Sequence, residues 1–146
     1  MARVSFLMPI VVVAMAAPGA GGESGKASRP RLDLRATPPT AFSPARVQAI
    51  GRLVGGEDLD EFYCPAVEWN WGDGTVSAQE GDCPPFDGET KMGRAFSAHH
   101  HYRQAGDYSV RLTLRRAGRP VAVAAASISI RAPGEASPGD GWAFVR

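Results

Sequence analysis

The chain has 146 residues, of which 44% are hydrophobic and 21% are charged, a composition typical of one packed domain with tails. Of its sixteen basic residues Arg3 belongs to a predicted leader, and the remaining fifteen balance fifteen acidic residues. Such a balance argues against nucleic-acid or membrane-surface binding, which needs a basic excess gathered on one face.

The N-terminal residues predict an exported protein. Arg3 precedes an apolar stretch over residues 4–17, and small residues suited to cleavage follow it. About fourteen apolar residues fall short of the roughly 18 that a membrane-crossing helix needs. We predict a signal peptide over residues 1–20, a linker over 21–31, and a mature chain that is secreted or held in the cell envelope without stable membrane insertion.

Short alternating segments predict strands in the first half of the mature chain. A brief edge strand around residues 32–34 is stopped by prolines, and residues 47–54 predict a strand with a possible bulge at Gly51. Residues 66–71 form the next strand. Residues 75–91 then predict a long surface excursion without regular structure. A loop of this length is unusual inside a compact domain, but a disulfide through Cys83 would restrain it.

Three further strands are predicted downstream, over residues 94–102, 106–115 and 120–130, the last with a kink near Ala125. No amphipathic helical pattern occurs in the mature part. The fold class is therefore all-β, and evenly spaced strands with turn residues between them favour an antiparallel β-sandwich of about seven strands over residues 32–131.

Two motifs carry a family resemblance. The first is Trp69, Asn70, Trp71, Gly72, Asp73 and Gly74; the second is His101, Tyr102, Gly106, Tyr108, Val110 and Leu112. With both in this order, the segment from about residue 47 to 130 resembles the polycystic kidney disease (PKD) domain, an immunoglobulin-like sandwich of extracellular and cell-surface proteins. The departures are Trp71, where the family usually has Phe, the long excursion after Gly74, and the weak pattern of the last strand.

The resemblance agrees with a physical interpretation of the same residues. Trp69 occupies the place of the buried strand tryptophan of such sandwiches, and Tyr108 fits a tyrosine corner. Cys64 and Cys83 face an oxidising compartment and have no neighbours at metal-ligand spacing, so we expect a structural disulfide. Closing a loop of this length is worth about 3 kcal/mol.

Metal binding has two weak candidates. His99 and His101 share a strand face, but no third ligand is fixed nearby, and the family motif gives His101 a structural role. Asp73 is expected to hold its turn through backbone hydrogen bonds. A calcium site with the acidic loop at residues 57–61 stays a minor hypothesis, because the spacing matches no calcium loop. We predict no metal and no cofactor.

No catalytic motif is present: the sequence has neither a Gly-x-Ser-x-Gly elbow nor a His-Glu-x-x-His pair, which favours a non-enzymatic module. The leading hypothesis is binding or adhesion to an extracellular protein or polysaccharide through surface loops. Phe86, with Asp87 beside it on the tethered excursion, is the candidate contact. Equally, Phe86 could fold back and cover the sandwich edge.

The C-terminal residues 132–146 predict a flexible tail that ends in an apolar run, residues 142–145. If that run adds as a strand to a neighbouring molecule, the chain would be a structural spacer or assembly subunit of a cell-surface or secretion apparatus. This is the alternative function.

Overall fold

The computed structural model describes residues 28–134, so the predicted signal peptide and nearly all of the tail lie outside the described residues. The described part is built from strands, as predicted. They are β1 (Arg31–Thr37), β2 (Thr40–Phe42), β3 (Ala45–Val54), β4 (Ala66–Asn70), β5 (Val76–Gln79), β6 (Ala95–Tyr102), β7 (Gly106–Arg116) and β8 (Arg119–Arg131), with a 3₁₀ turn at Asp60–Phe62. Over residues 28–134 no helix is long and apolar enough to cross a membrane.

The strands form two sheets, which confirms the sandwich. The first has three antiparallel strands in the order β1-β3-β6, and the second has five in the order β2-β8-β7-β4-β5. The chain changes sheets between β1 and β2, at Pro38 and Pro39, which cannot donate to a ladder. Strand β2 pairs in parallel with the end of β8, so the sandwich departs from the purely antiparallel prediction there.

The core lies between the sheets and is centred on β7. Val110, Leu112 and Leu114 are fully buried on its inner face, and Trp69 and Trp71 are buried on the neighbouring chain segment. This alternation follows the period of two that a strand imposes on its side chains. The two faces of the sandwich are therefore fixed, and every outward-facing residue can be read from the register.

The predicted bulge at Gly51 is wrong. Strand β3 pairs in unbroken register through Gly51 with both β1 and β6. The structure gives another reason for the glycine: an added Cβ would overlap the side chain of Leu112 from the opposite sheet. Gly51 is thus a packing position, where the two sheets approach closely.

The predicted kink near Ala125 is also misplaced. The irregularity of the β7–β8 ladder lies between Leu114 and Arg115, close to the hairpin, and from Ala122 onward β8 pairs continuously with β7. Val123 lies in this continuous part, opposite Thr113, and is 54% exposed. The apparent change of phase therefore comes from an apolar residue on the outer face and not from a bend in the strand.

The excursion at residues 75–91 is only partly irregular. Its first part is β5, which pairs antiparallel with β4 and forms the edge of the larger sheet. Beyond it the chain crosses to β6, the edge of the smaller sheet, and Met92 is buried on the way. The excursion therefore bridges the two sheets at their open side.

Candidate functional site

A column of aromatic rings joins the two sequence motifs. Trp69 stacks on Trp71 with centroids 5.7 Å apart, and Trp71 stacks on His100 at 4.7 Å. His100 meets Tyr102 edge-on at 4.7 Å, and Tyr102 contacts Tyr108 at 4.6 Å. These separations are those of favourable ring pairs. Strands from both sheets are therefore connected through side chains as well as through the aliphatic core.

Hydrogen bonds fix the polar ends of these rings. The Tyr102 hydroxyl donates to the Trp71 carbonyl at 2.8 Å, and the Trp71 indole N–H donates to Ser77 Oγ at 3.0 Å. A phenylalanine could not make the second bond, which gives the unusual Trp71 a structural reason. The Tyr108 hydroxyl donates to the Gln104 carbonyl, the bond of a tyrosine corner. Burial raises the pKa of Tyr102 above its ordinary value.

Asp73 organises the turn after β4. Its Oδ1 accepts from the Thr75 amide at 3.0 Å and from the Thr75 hydroxyl at 2.6 Å, while Oδ2 accepts from His100 Nε2 at 2.7 Å. Burial acts to raise the pKa of Asp73, but these hydrogen bonds and the attraction to His100 outweigh it and hold the pKa below its ordinary value. Asp73 thus links the turn to β6.

The glycines on either side of Asp73 are required by geometry. Gly72 and Gly74 have φ values of 79° and 89°, in the left-handed region that side chains disfavour. At Gly72 an added Cβ would also meet the backbone of Ser109 on β7. The Gly72 amide is held by the Asn70 side chain. The last part of the first motif, from Asn70 to Gly74, therefore serves one tightly packed turn.

The predicted disulfide is confirmed, with Cys64 and Cys83 bonded and their Cα atoms 6.2 Å apart. Gly81 lies against Cys64 so closely that an added Cβ would overlap its backbone. Residues 80–94 connect β5 to β6, and we call this segment the tethered loop. The disulfide bonds its first part to Cys64, which lies just before β4.

Phe86 and Asp87 both hold the tethered loop in shape. The Phe86 ring packs on Tyr63 with centroids 5.1 Å apart, which favours the interpretation that it covers the sandwich edge. Asp87 accepts hydrogen bonds from the amides of Glu89 and Thr90, and these bonds lower its pKa. Both side chains have structural partners within the chain.

A cleft of about 740 Å³ lies between the tethered loop and the open side of the sandwich. Trp69 and Phe96 contribute to its apolar wall, and the exposed residues Glu80, Asp82 and Lys91 contribute to its lining from the loop. Apolar walls with a few polar groups are typical of ligand-binding clefts. The sequence did not predict this cleft, because it forms only where β5, β6 and the loop meet.

Comparison with solved structures identifies the fold. The chain is similar to the PKD domain of an M14-like peptidase from Thermoplasmatales archaeon SCGC AB-540-F20, with a TM-score of 0.51 and 14% identity over 73% of this chain and 99% of that one. The described domain has the PKD fold. No protein-family model and no curated protein matches the sequence. At this identity the similarity establishes the fold alone.

Within the PKD-like domain, the structure places His100 where the sequence had suggested His101. His100 faces inward in phase with Tyr102, whereas His99 and His101 are exposed on the outer face of β6. Strand alternation from Tyr102 was the signal that could have identified His100. Over residues 28–134 no group of three or more His, Cys, Asp or Glu residues could hold a metal ion.

The acidic loop of the PKD-like domain is held by arginines. Three of its carboxylates pair with guanidinium groups from three other parts of the chain: Asp58 with Arg94 at 2.7 Å, Asp60 with Arg116 at 3.1 Å, and Glu61 with Arg29 at 3.0 Å. The carboxylates thus point to separate partners instead of converging on one position.

Proposed function

We propose that the chain is an exported, non-enzymatic PKD-like module that binds an extracellular protein or a polysaccharide. The fold supports an extracellular type of module, and the Cys64–Cys83 disulfide suits an oxidising compartment. Function in such scaffolds resides in the surface features that the rigid sandwich positions.

The observation that carries the proposal is the tethered loop beside its cleft. The loop is fixed by the disulfide, by Phe86 on Tyr63, by the turn at Asp87, and by the burial of Met92. A loop that is already ordered loses little entropy when it binds a partner. The contact residues we propose are therefore not Phe86 and Asp87, which the loop itself uses, but the exposed side chains lining the cleft.

Binding of the purified mature chain to intact cells or to isolated envelope of the producing organism tests the proposal. We expect saturable binding that weakens in the double variant Glu80→Gln/Asp82→Asn. The matched control is Glu57→Gln/Asp107→Asn, which removes the same two charges from exposed positions away from the cleft. Absence of saturable binding by the unaltered chain would refute the proposed function.

If binding is saturable but both double variants bind alike, the module binds through another surface. The alternative role as a spacer or assembly subunit depends on residues 142–145, which lie outside the described residues. No contact within residues 28–134 favours it.

A further inference from the structure

The outer face of the three-stranded sheet is strongly basic. The register places its outward residues in rows across β1, β3 and β6, and six cationic or cation-forming side chains on it are exposed: Arg31, Arg35, Arg46, Arg52, His99 and His101. Asp33 is the one carboxylate among the described residues of these rows. Four arginines against one aspartate leave this face with a net charge of +3 when the histidines are neutral. We call it the basic sheet face.

Most of these guanidinium groups have no partner within the described domain. Arg31 pairs with Asp33 at 2.9 Å, but over residues 28–134 Arg35, Arg46 and Arg52 make no ion pair and no side-chain hydrogen bond. By contrast, each of the three arginines around the acidic loop forms an ion pair with a carboxylate. Three guanidinium groups that could bind an external anion therefore lie together on the basic sheet face.

The face is long and shallowly concave. Arg46 and Arg52 are six residues apart on β3, which corresponds to about 20 Å at the rise of a strand. Between them, Arg35 of β1 lies opposite Ile50. A concavity of about 440 Å³ is lined by residues that include Arg35, Ile50 and Arg52. An extended ligand could therefore contact several guanidinium groups at once.

We infer that the basic sheet face, a surface separate from the cleft of the proposed function, binds an anionic polysaccharide whose carboxylate or sulfate groups pair with the unpartnered arginines. The planar guanidinium fork forms paired hydrogen bonds with such groups. A linear polymer with repeated anionic groups matches an elongated surface with charges spread along it, and complementary charge favours encounter over long distances.

Two other polyanionic or macromolecular partners fit the face less well. Single-stranded nucleic acid is bound by aromatic stacking, and none of the described Phe, Tyr or Trp residues lies on this face. A protein partner would need an apolar centre, and here Ile50 and Val54 are the main apolar residues.

The test compares two double variants with equal loss of charge. Arg46→Gln/Arg52→Gln alters the basic sheet face, and Arg111→Gln/Arg119→Gln removes two exposed, unpaired arginines from the other sheet. The probe is polygalacturonate, with neutral dextran as the reference polymer, and the affinity is measured by titration at low salt. We expect the first variant to bind about tenfold more weakly and the control to keep its affinity, since each lost guanidinium removes charge-assisted hydrogen bonds.

Three outcomes would overturn the inference: no binding of polygalacturonate by the unaltered chain, an equal loss in both variants, or tighter binding to single-stranded DNA or to anionic phosphatidylglycerol vesicles than to the polysaccharide. Saturable binding to cells that persists without any affinity for polygalacturonate would leave the proposed function standing and remove only this inference. Absence of saturable cell binding by the unaltered chain would refute the proposed function, and the polygalacturonate titration would then decide this inference alone.

Discussion

Removal of a single hydroxyl group, in Tyr102→Phe, tests whether the aromatic column holds the two sheets together. Tyr102 is 1% exposed, and its hydroxyl donates to the Trp71 carbonyl at 2.8 Å. The substitution leaves the ring in place but leaves a buried carbonyl without a donor. An unsatisfied buried acceptor costs about 1–3 kcal/mol, which is a sizeable part of the stability of a domain this small.

Tyr108→Phe is the matched control. Its hydroxyl also donates to a backbone carbonyl, that of Gln104 at 3.0 Å, but Gln104 is exposed and water can replace the hydroxyl as donor. We expect its loss to lower the free energy of unfolding by about 0.5 kcal/mol. The two variants remove the same atom and differ in the burial of the acceptor.

Urea unfolding followed by tryptophan fluorescence, with the disulfide intact, gives both free energies. A loss of about 2 kcal/mol in Tyr102→Phe should also lower the melting temperature by on the order of 10 °C. Equal losses in the two variants, or a loss below about 0.5 kcal/mol in Tyr102→Phe, would refute the view that the buried bond couples the motifs.

Three further predictions concern packing, the disulfide and pH. Gly51→Ala should destabilise the domain by about 1–3 kcal/mol in thermal melts because the opposite sheet leaves no space for a methyl group, whereas Gly93→Ala, at a position with open space, should not. Replacing Cys64 and Cys83 by serine should lower the unfolding free energy by about 3 kcal/mol in urea titrations, and a loss below about 1 kcal/mol would contradict the loop-closure reasoning. The lowered pKa of Asp73 stabilises the fold above about pH 4, and this contribution disappears as the pH falls through the depressed pKa, so acid titrations of Asp73→Asn should show a smaller loss.

Much of the fold was predictable because strand alternation is a local property. The burial of Val110, Leu112 and Leu114 follows from the period of two in β7, and the turn at Asp73 follows from its flanking glycines. These positions depend on neighbours within a few residues. The prediction of a β-sandwich needed little more than such local patterns and the spacing of turn residues.

The wrong sequence-based predictions concern positions whose structure depends on contacts between distant segments of the chain. Gly51 looks like a bulge until Leu112 of the other sheet is seen against it. Phe62 and Met92 are buried although they lie outside the predicted strands, because they join the core cluster formed by residues of both sheets. The role of His100 depends on Asp73, 27 residues earlier. The residues in each of these contacts are too far apart in sequence for a local pattern to include both.

The distribution of charge over the surface likewise depends on the fold and cannot be predicted from the sequence composition. Equal numbers of acidic and basic residues argued against a charged surface, yet a total carries no information about position. In the folded domain several acids pair with arginines, as Asp58 and Asp60 do. Over residues 28–134 Arg35, Arg46 and Arg52 of the three-stranded sheet make no such pair. A balanced chain can therefore present a basic face, and a ligand with repeated negative charge is recognised by that face and not by the net charge of the molecule.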